Sequence, residues 1–261
     1  PLVVFGLVAT LAFTAGFRRV AQDLASQRNT AFAQVSAAEI GRSLAGFSQL
    51  LSATAESLPA DRGDSAVLIQ RLADLWPFLS AFDGGVALID ERGIAIAATP
   101  GEETRIGIDY SFRSYLQQTR ASGLPVFSAV LSELPSGRDA VVVSQPILDE
   151  RGYTGALIGV LFLDTGSTEG IGLPEIGTPG GTSYVLDGAG NVIFPVEAHR
   201  AAITLAGDSF LAGALDARIP ASKIYLSPRL GQKAIVSFAP LPSSDWSLVI
   251  EDPLEQVLAP I

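Results

Sequence analysis

The sequence has no cysteine and no methionine, and only one histidine and two tryptophans among 261 residues. Without cysteine there is no disulfide framework, no thiolate zinc site, no iron–sulfur cluster and no cysteine nucleophile. The lone histidine, His199, cannot supply the multi-histidine set typical of catalytic zinc, and no metal or cofactor is expected. Positive charge is also scarce: 17 Lys and Arg stand against 27 Asp and Glu, a net charge of −10. That balance argues against a nucleic-acid partner, whose binding is dominated by cations on phosphates. No serine motif of the nucleophile-elbow type is present. The glycine-rich stretch Gly177-Thr-Pro-Gly-Gly181 lacks the lysine of a phosphate loop. What the chain has in quantity is apolar surface: 48% hydrophobic residues, 17% charged and a mean hydropathy of +0.37. Such a composition excludes bulk disorder.

The apolar residues are unevenly spread. Pro1–Phe17 carries no charge. At about 1.5 Å per residue it would span roughly 26 Å as a helix, slightly short of a ~30 Å hydrocarbon core. It is expected to be a transmembrane helix (1–17) cut at its N-terminal side, a buried helix or signal-peptide segment being the alternatives. Arg18 and Arg19 close the run, and by the positive-inside rule they would place that end in the cytoplasm. From Val20 to Leu58 the chain has no proline, and Ile40, Leu44, Phe47, Leu51 and Leu58 recur mostly three or four apart. This period is that of an amphipathic helix, ended by Pro59. A helix of about 40 residues would be roughly 60 Å long, enough for a spine (18–59) running along two stacked modules, a coiled-coil stalk being the bland alternative.

Beyond Asp64 the pattern changes. Ser65–Trp76 reads as a short helix capped by Asp64. Short apolar runs bounded by Gly and Pro then follow, at 85–90, 94–98, 125–131, 139–147, 154–164, 182–187, 191–194, 222–227, 233–239 and 246–251. These are predicted strands. The turn Asp90-Glu-Arg-Gly93 recurs as Asp149-Glu-Arg-Gly152 and Asp187-Gly-Ala-Gly190, with Asp suited to bonding its own backbone and Gly to positive φ. Val86–Asp90 followed by Ile94-Ala-Ile matches Ser183–Asp187 followed by Asn191-Val-Ile, from Asp90 to Asp187 an offset of 97 residues. The spacing fits two copies of a small module, each with a helix (Ser111–Arg120 in the first; Ala198–Leu205 and Ser209–Leu215 in the second). The fold class expected is α+β, with antiparallel sheets and helices on one face.

In this order and spacing the residues resemble the double Cache sensor domain of bacterial transmembrane receptors. The first module's share is Asp109-Tyr-Ser-Phe-Arg113-Ser-Tyr115, Gly123-Leu-Pro-Val-Phe-Ser128, Val141-Val-Val-Ser-Gln-Pro146 and Gly159-Val-Leu-Phe-Leu-Asp164. The second's is Gly181-Thr-Ser-Tyr-Val-Leu-Asp187, Val236-Ser-Phe-Ala-Pro240, Trp246-Ser-Leu-Val-Ile and Asp252-Pro-Leu-Glu-Gln. The resemblance implies a long N-terminal helix followed by two tandem PAS-like modules, each an antiparallel sheet with flanking helices: a membrane-distal module (60–165), a linker (166–180), a membrane-proximal module (181–252) and the start of a return to the membrane (253–261). It also implies a sensor of the bacterial inner membrane with its sensing part in the periplasm, a homodimer through the long helix, and a small-molecule ligand in the distal module. Arg113 falls where such receptors grip a carboxylate, Tyr115 in the following aromatic cluster, Asp164 where an acid meets a ligand ammonium, and Ser128 on a pocket strand. Arg suits the first role because its planar fork matches a carboxylate. The sequence departs from amino-acid-binding members at Leu116, where a second aromatic is usual, and in Ser128-Ala-Val-Leu-Ser132. An organic acid, an amine or another apolar-tailed solute is thereby left open beside amino acids.

Two rival readings make different demands. A membrane-tethered hydrolase using carboxylates requires two acids in one cleft. The acid pairs Glu102-Glu103 and Glu251-Asp252 are read as solvated charge. A structural spacer that binds nothing requires solid modules and Arg113 in solvent.

Overall fold

The structure is a computed structural model, which describes residues 2–59, 64–150, 152–163, 180–194 and 208–259, and of the first fifteen side chains that of Phe13 alone. The expected membrane segment and spine form one continuous helix, α1 (Leu2–Ser57), of 56 residues. Among the described residues no helix is long and apolar enough to cross a membrane. The segment expected to do so falls almost wholly on side chains outside the description. The linker to Pro179, His199 and the expected helix Ala198–Leu205 also lie outside the described residues.

α2 (Ser65–Leu79) begins where Asp64 accepts hydrogen bonds from the backbone N–H groups of Ala66 and Val67. Then come β1 (Val86–Asp90), β2 (Ala95–Ala98), a 3₁₀ turn (Glu103–Arg105), α3 (Ser114–Ser122), β3 (Val126–Phe127), β4 (Leu131–Ser132), β5 (Asp139–Asp149) and β6 (Gly152–Phe162). The second module comprises β7 (Thr182–Leu186), β8 (Val192–Phe194), α4 (Ser209–Ala217), β9 (Ala221–Leu226), β10 (Lys233–Pro240) and β11 (Ser247–Pro253), and α5 (Leu254–Leu258) follows. The sheet orders are β2-β1-β6-β5-β3, with β4 also on β5, and β8-β7-β11-β10-β9. All pairings are antiparallel, and the two orders are the same topology written twice. The α+β expectation of two tandem PAS-like modules on a long helix holds.

The duplicated turn is also duplicated in its bonds. Asp90 Oδ1 accepts from the N–H of Arg92 and Ile94 at 2.9 and 2.8 Å, and Asp187 Oδ1 accepts from Ala189 and Asn191 at 2.9 and 2.8 Å. Gly93 and Gly190 close the two turns at φ +95° and +86°, a region L side chains rarely occupy.

Three details differ from expectation. Helices cover both faces of the sheets rather than one. Alternate residues show why: Val86 and Leu88 join the core beneath α1 and α2, while Ala87 and Ile89 join a second core with Tyr115 of α3. A strand apolar on both faces needs cover on both. The helix expected at Ser111 starts at Ser114, because Asp109 Oδ1 holds the Ser111 N–H at 2.7 Å in a turn. The run 125–131 is two short strands, not one. At the break, the Ser128 hydroxyl replaces a backbone carbonyl as acceptor for the Val142 N–H at 2.8 Å.

α1 binds both modules into one core through Ala33, Ala37, Ile40, Leu44, Phe47, Leu51 and Leu58. Each fully buried leucine contributes about 1.5–3 kcal/mol of transfer free energy. Gly41 sits where the helix passes Pro242: a Cβ there would lie 2.7 Å from the proline Cδ.

Candidate functional site

The 3₁₀ turn after β2 carries Arg105 into the first module, where the residue is 0% exposed. Its Nε–H donates to Glu102 at 2.8 Å, and its Nη1 lies 3.0 Å from Oε1 of Glu133, itself 2% exposed. The second contact is an ion pair without hydrogen-bond alignment: Arg105 Nη1 and Nη2 and Glu133 Oε1 are all buried and make no hydrogen bond. Glu133 follows β4 at the head of a tight turn. There its N–H donates to the Arg138 carbonyl at 2.8 Å, its own carbonyl accepts from Gly137 at 2.7 Å, and its Oε2 accepts from Ser136 at 2.6 Å.

Arg113 occupies the N-cap position of α3, and its Nη2 donates to the Ser132 carbonyl at 2.8 Å. Its Nε is buried with no hydrogen-bond partner. Tyr110 and Tyr115 are each 2% exposed, and the Tyr110 hydroxyl donates to the Leu134 carbonyl at 3.0 Å. Burial pushes the Tyr110 hydroxyl up to about 12; Arg105 opposes the shift and Glu133 adds to it. Burial likewise raises Tyr115, with Tyr110 adding to the effect. Neither phenol is a base at neutral pH, and the Tyr110 O–H is already given to Leu134.

These five side chains converge on one hollow above the sheet, floored by Val142, Ile158 and Val160. It is a shallow, partly open gap between these side chains, with no place wide enough for a water-sized sphere. Two guanidiniums, an acid ion-paired with one of them, two phenols and apolar strands meet here: the chemistry suits a small polar solute, with guanidinium N–H groups that make no hydrogen bond and could serve an anion. A wider dish of about 400 Å³ between Pro59 and α2 is open to solvent and has no such convergence of groups.

The structure thus brings Arg113 and Tyr115 together. Ser128 lies outside that lining: its hydroxyl donates to the Ala129 carbonyl at 2.7 Å and accepts from Val142, and its carbonyl accepts from Trp246 Nε1 at 3.2 Å. Asp164 lies outside the described residues. Sequence reasoning missed Arg105, Tyr110 and Glu133. Tyr110 adjoins Asp109 in the quoted motif, which was a usable signal. Arg105 follows three polar residues and Glu133 precedes a Leu-Pro-Ser-Gly turn, both ordinary signs of solvated loops.

The acid pairs correct the expectation of solvated charge. Glu103 is in solvent, its carboxyl held below the usual range by backbone N–H bonds, but Glu102 is turned toward Arg105. Glu251 and Asp252 are 3% and 2% exposed. Glu251 accepts from Tyr184 at 2.6 Å and from Ser227, whereas Asp252 accepts from Asn29 of α1 at 2.8 Å. As strand neighbours they face opposite sides of β11, so this pair does not share a cleft.

Neither a family model nor a curated protein matches the chain. Solved structures match it over most of its length. The ligand-binding domain of the Pseudomonas fluorescens chemoreceptor CtaA with L-isoleucine is 17% identical, at a TM-score of 0.70, over 94% of this chain and 98% of that one. The ligand-binding domain of the Pseudomonas aeruginosa amino-acid chemoreceptor PctC with GABA is 19% identical, at 0.64, over 87% and 98%. An extracellular ligand-binding receptor from Desulfohalobium retbaense is 18% identical, at 0.62, over 83% of this chain; the chain spans 38% of that receptor's length. At these identities the likeness is one of fold, and the fold is that of double-module ligand-binding domains.

Proposed function

We propose that the chain is the extracytoplasmic ligand-sensing domain of a bacterial transmembrane signal-transduction receptor, without catalytic activity of its own. Its distal module (60–165) binds a small solute bearing a carboxylate, such as an organic acid or amino acid, and its proximal module (181–252) relays the event toward the membrane. The observation that carries this reading is the set of buried guanidinium N–H groups of Arg105 and Arg113 that make no hydrogen bond, on one hollow. Left unpaired, each costs on the order of 1–3 kcal/mol, a cost that a bound carboxylate removes. GABA and L-isoleucine, the ligands of the similar domains, both carry a carboxylate. Glu251 and Asp252 face opposite sides of β11 and cannot be the two acids of a hydrolase; Glu102 and Glu133, which do share a site, are both held by the Arg105 guanidinium, and the burial of Arg113 Nε is not the solvated arginine that an inert spacer requires.

The finer expectations belong to the same reading. The chain is anchored in the inner membrane by segment 1–17, and 253–261 begins the return. It pairs as a homodimer along α1, where Phe13, Phe17, Val20 and Leu24 leave an apolar stripe exposed at spacings of three and four. The relay has a route, since Ala25 of α1 packs with Leu254 and Val257 of α5.

Thermal unfolding of the whole chain against amino acids, organic acids and amines tests the reading. A solute at 100 times its Kd adds about 2.7 kcal/mol, and Arg113→Ala or Arg105→Ala abolishes the shift. A carboxylate-bearing solute that stabilises wild type and both variants equally would place the site elsewhere.

A further inference from the structure

We propose that Glu133 is a built-in stand-in for the ligand's carboxylate: it occupies Arg105 in the free protein and closes the hollow, and the solute binds by displacing it. This rests on the reading of the hollow as the solute site. The hollow has no room for even a water-sized sphere, so a ligand must move part of its wall. The floor cannot move cheaply. Val142 lies on β5 and Ile158 and Val160 on β6, interior strands of the sheet, and all three are at most 2% exposed. Tyr115 is fixed by α3 beneath the same core.

Glu133 is different in three respects. It sits on a turn whose backbone bonds to Gly137 and Arg138 do not involve the side chain, so they survive its departure; leaving Arg105 costs the carboxylate only its bond from Ser136, a turn hydroxyl three residues on that can follow it or turn to water. Its Oε1 approaches Arg105 Nη1 to 3.0 Å yet is not aligned for a hydrogen bond, and Nη2 is left bare. Guanidinium is built to give a carboxylate two parallel N–H bonds; a side chain tethered at this angle gives none, and an untethered carboxylate is free to give both. Finally, the exchange preserves charge. One carboxylate leaves Arg105 as another arrives, so the hollow does not acquire an unpaired buried ion, which would be strongly unfavourable. Glu133 is on this view a specificity-determining residue: it sets the affinity threshold that an incoming anion must beat.

Propionate and acetate serve as probes, against chloride at equal ionic strength. In Glu133→Ala the vacated place by Arg105 takes propionate, and the unfolding midpoint rises by about 3 °C at ten times the probe's Kd. Wild type binds the same probe at least about tenfold more weakly, and Arg105→Ala/Glu133→Ala does not bind it. Glu133→Gln keeps the side-chain volume and an acceptor for Ser136 but removes the charge that competes for Arg105, and shows a smaller gain of the same sign should the alanine variant fail to fold. Propionate binding no tighter in Glu133→Gln than in wild type overturns the displacement, as does a gain that survives loss of Arg105. The two readings fail separately. A solute lost in Arg105→Ala but indifferent to Glu133→Gln overturns the stand-in and supports the site. A probe gain in Glu133→Gln, with no panel solute binding wild type, supports the stand-in and overturns the proposed function.

Discussion

The indole Nε1–H of Trp246 donates to the carbonyl oxygen of Ser128 at 3.2 Å, joining the second sheet to the first across 118 positions of sequence. Trp246 is 0% exposed and meets Phe127 edge-on, with ring centroids 5.7 Å apart. Asp187 adds a longer contact, accepting from the Val130 N–H at 3.4 Å. The segment between β3 and β4 is therefore held by the second module, and the same chain runs on through Leu131 to Glu133, which line the hollow. Trp246→Phe keeps most of the packing but leaves the Ser128 carbonyl unpaired. It is expected to cost about 1–3 kcal/mol, measured by urea unfolding; a change under about 0.3 kcal/mol would show the bond to be unimportant.

The two Asp turns make a matched pair of tests. Asp90→Ala removes two carboxylate–backbone bonds from a partly exposed turn. Asp187→Ala removes their counterparts, the bonds from Asn191 Nδ2 and the contact to Val130, from a residue that is 0% exposed. At about 1 kcal/mol per net hydrogen bond, the first costs about 1–2 kcal/mol and the second roughly 1 kcal/mol more. Chemical denaturation of both variants checks the order.

Two glycines of α1 respond with opposite signs. Gly46 has nothing within 4 Å of its would-be Cβ, so Gly46→Ala stabilises by about 0.5–1 kcal/mol through helix propensity alone. Gly41→Ala gains the same propensity but drives its methyl group into Pro242. The expected outcome is net destabilisation of about 1–3 kcal/mol, read from the shift in denaturation midpoint against wild type.

All five tyrosines have hydroxyl pKa values raised, chiefly by burial. Tyr110, at about 12, holds its proton in the folded state after the unfolded chain has lost it near 10. Its contribution is complete below pH 10 and is lost as pH rises through about 12. Absorbance at 295 nm of the folded chain should rise at higher pH than that of the chain unfolded in urea, with the last part of the rise accompanying unfolding. Normal titration near pH 10 in a folded chain would contradict this.

Much of the fold was legible because periodicity is a local signal: the 3.6-residue rhythm from Ile40 to Leu58, the strand runs, and the Asp…Gly turns that specify their own hydrogen bonds. The site was less so. Arg113 and Tyr115 were visible through the motif around them. Arg105 was not, because an arginine three residues after Glu102 in a polar stretch looks like a solvated pair; only the folded module brings its side chain beside Glu133 and over Val142, Ile158 and Val160. Glu251 and Asp252 escaped for the same reason, since strand ends and solvated corners read alike until α1 and β9 are in place. The two-face cover of the sheets was missed although Val86-Ala-Leu-Ile has no polar alternation, which was the signal.

The decisive measurement is a crystal structure of the chain with a carboxylate-bearing solute that stabilises it. The solute's carboxylate should lie within hydrogen-bond distance of Arg105 Nη2 and Arg113 Nε, with the Glu133 side chain turned out of the hollow. A solute seated instead against Tyr184 and Glu251 of the second module, with the Arg105–Glu133 pair intact, would contradict it.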